Sequence, residues 1–96
     1  MNNTASKDEL YSAILKLKTV EECRSFFNDL CTINELDSMA QRLLVAKLLA
    51  KNEVYNEIAA KTGASSTTIS RVARCLNHGD NGYTTVLERL KDDGEL

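Results

Sequence analysis

The chain has 96 residues, no proline, no tryptophan, three tyrosines, two phenylalanines and a net charge of −2. Such a length bounds it to one domain, residues 1–96, and its recurrent alanine, leucine, glutamate and lysine predict an all-α fold. The composition excludes a broadly adhesive polycation, and no apolar run approaches the roughly 18 residues needed to span a membrane, so no membrane partner is expected.

Helix starts are announced by a capping box, a hydroxyl followed three residues later by glutamate. The pattern recurs at Ser6 with Glu9, Thr19 with Glu22, Thr32 with Glu35 and Thr85 with Glu88. After Ser6, the stripe Leu10, Ile14 and Leu17 predicts a first amphipathic helix. After Thr19, the residues Val20, Cys23, Phe26, Phe27 and Leu30 predict a second with a broader apolar face. A third helix, from Ile33 to about Lys51, carries Leu36, Met39, Ala40, Leu43, Leu44, Val45, Leu48 and Leu49 on more than one side. It would run roughly 28 Å at 1.5 Å per residue. A compact chain of this size has a radius of gyration of only about 13 Å. The third helix must therefore cross the whole molecule, and the first two are too thinly apolar to hold together alone. An intertwined homodimer with a shared helical centre answers both demands.

Val54 to Leu76 reads as a helix-turn-helix. Ile58 and Ala59 sit in a short helix one turn before Gly63, which falls where the chain must leave that helix and can do so in the left-handed conformation. The hydroxyls of Ser65 and Ser66 can start the next helix. There Ile69, Val72 and Ala73 form an i, i+3, i+4 stripe able to pack on Ile58 and Ala59. The opposite face carries Thr67, Thr68, Ser70, Arg71 and Arg74. Hydroxyl residues favour caps and turns over helix interiors, so five of them within six positions serve a purpose other than core building. Small polar side chains suit close approach to phosphates and base edges. Charge agrees: Met1–Glu53 carries −1 and Gly79–Leu96 carries −3, while Val54–His78 carries +2. Beyond this segment, GDNG at Gly79–Gly82 predicts a turn, Tyr83–Leu90 a last short helix, and KDDGEL a frayed acidic tail.

The order of elements, with Gly63-Ala64, Thr68-Ile69-Ser70-Arg71 and Leu76 as its most specific residues, resembles the tryptophan repressor superfamily. The likeness is strongest from Phe26 to Leu76 and is closest to the YerC/YecD-like branch of bacterial proteins. It implies a six-helix Trp repressor-like fold, an intertwined dimer, bacterial cytoplasm and transcriptional regulation. The family holds its corepressor between the central and recognition helices, with two arginines flanking the indole ring. Arg42 and Arg71 stand at the matching positions, and Thr32 matches a residue lining that pocket. Where the tryptophan binder has glycine and serine, this chain has Val72 and Cys75. The branched Val72 takes space the indole needs, and Cys75 is a poorer hydrogen-bonding partner. An effector other than tryptophan, or none, is the expectation.

The leading reading is a sequence-specific DNA-binding regulator acting as a homodimer on double-stranded DNA. In it Ser65, Ser66, Thr67, Thr68, Ser70 and Arg71 face the groove, with Lys61, Arg74 and Tyr55 on phosphates. Thr32, Arg42, Arg71 and Cys75 would line any effector site. The rival is a dimeric helical protein-interaction module that does not bind DNA. An enzyme is not expected, since the chain has one histidine, His78, and no glycine-rich phosphate loop. No cofactor or metal is expected either: Cys23, Cys31 and Cys75 lack CxxC spacing and read as free buried thiols in a reducing compartment. The first ten residues, MNNTASKDEL, lack the apolar core of a secretory signal.

Overall fold

A computed structural model describes residues 3–96, and among these the elements are six α-helices. They are α1 (Asn3–Ile14), α2 (Val20–Leu30), α3 (Ile33–Ala50), α4 (Tyr55–Thr62), α5 (Ser66–His78) and α6 (Gly82–Asp92). The chain divides into two compact units, Met1–Leu36 and Asp37–Leu96.

In the first unit the predicted apolar stripes are only partly realised and go unfilled: α1 ends at Ile14, so Leu17 lies in the turn beyond the helix and not on its stripe. Leu10, Ile14 and Leu17 are half-buried, as are Cys23, Phe26 and Phe27, whose last two rings meet edge to face at 5.6 Å. No described residue of this unit is fully buried. Leu15 is 83% exposed, Val20 68% and Ile33 78%. Two capping boxes form here. Thr32 and Glu35 make the reciprocal pair: the Glu35 N–H donates to Thr32 Oγ1 at 3.1 Å and the Thr32 N–H to Glu35 Oε1 at 2.8 Å. Thr19 Oγ1 accepts from the Glu22 N–H at 3.0 Å, while the Glu22 carboxylate reaches one residue further back, to the Lys18 N–H.

The other two boxes are not helix starts. With no proline or glycine ahead of Ser6, α1 begins a turn earlier, at Asn3, and Ser6 and Glu9 lie inside it. Similarly, α6 begins at Gly82 behind Asn81 in the left-handed conformation. Thr85 sits inside that helix, its hydroxyl donating to the Asn81 carbonyl at 2.8 Å. A Ser/Thr-x-x-Glu pattern within a helix is indistinguishable by sequence from one that begins it.

The second unit has a true core: Val45 and Ala46 from α3, Ile58 from α4, Ala64 from the turn, Ile69 and Val72 from α5, and Leu87 from α6. Its α3 closes with Asn52 at φ 62°, the Asn52 N–H on the Leu49 carbonyl and the Glu53 N–H on the Leu48 carbonyl, a Schellman motif. The C-terminal residues repeat the device. Gly94 takes φ 76°, the Glu95 N–H bonds the Leu90 carbonyl at 2.8 Å, and Leu96 packs against the core. The tail is therefore tied down rather than frayed, because its last leucine is an anchor.

Between α4 and α5 the chain turns as its sequence demands. Gly63 sits at φ 72°, ψ 6°, and its N–H closes α4 on the Ala59 carbonyl at 2.9 Å. Ser65 caps α5 by accepting the Thr68 N–H at 3.1 Å. The α5 stripe then meets α4: Ile58 is 0%, Ile69 1% and Val72 2% exposed, while Ala73 and Ala59 flank them half-buried. Truncating Ile58 to alanine removes the α4 side of that contact, and a loss of about 2–5 kcal/mol is expected. Gly63→Ala forces an L side chain into the left-handed region and should cost about 1–2 kcal/mol. Urea unfolding followed by circular dichroism measures both, and Ile58→Ala should lower the midpoint further.

Candidate nucleic-acid interface

Burial of Ile69 and Val72 fixes which way α5 faces. With 3.6 residues per turn, the positions between them must point outward. Ser65, Ser66, Thr67, Ser70, Arg71 and Arg74 are all exposed, and Thr68 is half-buried. Arg71 and Arg74 form no ion pair among the described residues. Two hydroxyls are partly committed to the fold, since Ser65 accepts the Thr68 N–H and donates its own proton to Thr68 Oγ1 at 3.1 Å. Ser66, Thr67 and Ser70 head the free hydroxyl surface, and the N–H groups of Ser66 and Thr67, in the first turn, have no intrahelical acceptor. The array offers short donors and acceptors along one rod, with two guanidinium groups beyond them.

Beside that rod lies a cleft of about 260 Å³. Arg42 and Gln41 of α3, Arg71 and Cys75 of α5, and Tyr83 of α6 line it, with Val72 among the lining residues. Three of the four predicted effector residues thus meet in one place. The fourth, Thr32, spends its hydroxyl on the N-terminal cap of α3. Thr32 also donates its N–H to Glu35, and these bonds hold the Glu35 carboxyl below its usual range. None of the three thiols is buried: Cys23 and Cys31 are half-buried and Cys75 is exposed. One turn after Arg71, position 75 shares the arginine's side of α5 rather than the core's.

A family model described as Trp repressor protein matches residues 5–91. This chain belongs to the Trp repressor family. It is similar to the YerC protein of Bacillus subtilis (strain 168), whose function is uncharacterised, with 54% identity over 85 residues, 88% of this chain and 82% of that one. A Trp operon repressor homologue from Chlamydia caviae is 37% identical over 76 residues, covering 78% of this chain and 75% of its own. The crystal structure of a TrpR-like protein from Eubacterium eligens superposes with a TM-score of 0.89 at 52% identity, covering 93% of this chain and 92% of the other.

Within this Trp repressor fold, two positioning residues escape sequence reasoning. Thr62 binds the turn together: its hydroxyl donates to the Ile58 carbonyl at 2.7 Å and accepts the Ala64 N–H at 3.1 Å. Gln41 Nε2 donates to the Thr62 carbonyl at 3.2 Å, linking α3 to the turn. Threonine at a helix end is a weak signal for the first, and nothing local signals the second. Lys61, predicted to meet phosphate, is exposed but held by the Glu53 carboxylate.

Two solution tests follow from this geometry. Labelling with a thiol reagent should modify Cys75 before Cys23 and Cys31, as mass spectrometry of digests would read, and a molecule seated in the cleft should slow that first reaction. The lowered Glu35 pKa stabilises the folded state above the ordinary glutamate range, and this contribution disappears as pH falls through the folded value. Acid unfolding of Glu35→Gln, followed by circular dichroism, should accordingly be less steep in that interval than for the unchanged chain.

Proposed function

We propose that this chain is a sequence-specific transcriptional regulator that binds double-stranded DNA as an intertwined homodimer in the bacterial cytoplasm. The observation that carries the reading is the two-sidedness of α5: Ile69 and Val72 face the core while Ser66, Thr67, Ser70, Arg71 and Arg74 are exposed together along its outer side. Membership of the Trp repressor family supports it. No described helix is long and apolar enough to cross a membrane. The chain is read as a non-enzyme.

Dimerisation is supported by the first unit. Its apolar stripes leave no described residue fully buried, and Leu15, Val20 and Ile33 stand open to solvent. A second copy would cover that surface and set two α5 rods about 34 Å apart, one turn of duplex. Ser66, Thr67 and Ser70 then lie toward base edges, Arg71 at the groove, Arg74 on phosphate. Since few long side chains reach the bases, water and DNA shape carry much of the readout. The Arg42, Arg71 and Cys75 cleft is proposed as the effector site, for a ligand other than tryptophan because the branched Val72 is among its lining residues.

Fluorescence anisotropy of labelled duplex across a salt series tests the reading. Each phosphate contact contributes about 0.9 to the slope of log affinity against log salt. Arg71→Ala combined with Arg74→Ala should weaken binding and flatten that slope by about one to two per DNA-bound head. A protein-interaction module would show neither salt-dependent DNA binding nor any response to these substitutions.

A further inference from the structure

Lys61 stands on the exposed side of α4, yet its charge is already engaged. Its Nζ donates to Glu53 Oε1, and the Lys61 side chain is 56% exposed against 18% for Glu53. Hydrogen bonding to Glu53 chiefly, then the charges of Glu53 and Glu57, raise the Lys61 pKa. Glu57 lies one turn before Lys61 on the same helix, so the carboxylates facing this lysine come from its own helix and from the segment before it.

The backbone that carries Glu53 is fixed. Glu53 is the residue after left-handed Asn52 in the closure of α3, with its N–H on the Leu48 carbonyl at 3.1 Å. The backbone therefore places this carboxylate at the entrance of the helix-turn-helix, within reach of the far end of α4. Val54–His78 holds three basic residues, Lys61, Arg71 and Arg74. Two of them are unpaired among the described residues, and the third is neutralised from within.

We propose that Glu53 is an intramolecular rival of DNA phosphate for Lys61, holding down the affinity of the helix-turn-helix without touching DNA itself. The inference rests on the DNA-binding reading above. A surface ion pair is weak and readily exchanged, so the competition is decided by which anion sits closer to Nζ. While Glu53 holds it, Lys61 displaces no counterion from the duplex and adds nothing to the salt slope. Once released, it adds one phosphate contact per head.

The experiment is an anisotropy titration of a labelled mixed-sequence duplex over a salt series, using the full chain, Glu53→Gln, Lys61→Ala and the double variant. A mixed sequence suffices because phosphate contacts are independent of base identity. Gln keeps the length of the side chain, and matching thermal melts confirm an intact fold. Glu53→Gln should bind several-fold more tightly at low salt with a slope steeper by about 0.9 per engaged head, and the steepening should vanish in the Lys61→Ala background. An unchanged slope in Glu53→Gln, or an equal gain with and without Lys61, overturns the inference, the second outcome marking a general field effect. Absence of salt-dependent binding by the unchanged chain would overturn the DNA-binding reading itself, and this inference with it.

Discussion

The contact of Ile69 and Val72 with Ile58 orients everything that matters for function in the second unit. Three branched side chains, each no more than 2% exposed, lock α5 against α4 about its own axis. Once that rotation is fixed, the 3.6-residue period leaves Ser66, Thr67, Ser70, Arg71 and Arg74 no place but the solvent side. Fully burying one such side chain contributes about 1.5–3 kcal/mol. That is enough for a short helix to hold one orientation instead of sampling several. The turn reinforces it. Gly63 lets the chain reverse, Thr62 and Gln41 hold the reversal, and Ser65 starts α5 at a defined residue.

The two units differ in how far a single copy can satisfy them. Asp37–Leu96 encloses a core drawn from four helices and a turn, and closes both its α3 and its C-terminal residues with Schellman motifs. Met1–Leu36 has amphipathic helices, well-made caps and no enclosed side chain among its described residues. Apolar surface of that kind signals an interaction surface. In the proposed dimer the labour is divided, with the first unit serving assembly and the second serving recognition.

Much of this was legible in the chain. The α5 stripe, the left-handed Gly63, the Ser65 cap and the Thr32–Glu35 box all depend on spacings of three or four residues, which local sequence displays. What stayed hidden were pairings across distance. Nothing near Gln41 announces its bond to the Thr62 carbonyl, and nothing near Lys61 announces Glu53, eight residues earlier. Local patterns also misled where context overrode them. Ser6 and Thr85 carry capping boxes yet lie within helices, and the acidic tail conceals an anchoring Leu96. Residue type alone suggests a buried Cys75, although counting one turn on from Arg71 places it outside. The candidate site was thus readable as a face of α5, while its supports and its electrostatic restraint were not.

In the proposed dimer, α5 is a DNA-reading rod presented twice by a symmetric pair of chains. Selection of bound sequences from a pool of random duplex DNA, using the full chain, tests that claim most directly. The expected result is enrichment of a two-fold symmetric sequence whose half-sites lie about one helical turn apart, roughly 10 base pairs. Recovery of a pool with no enriched sequence would contradict it.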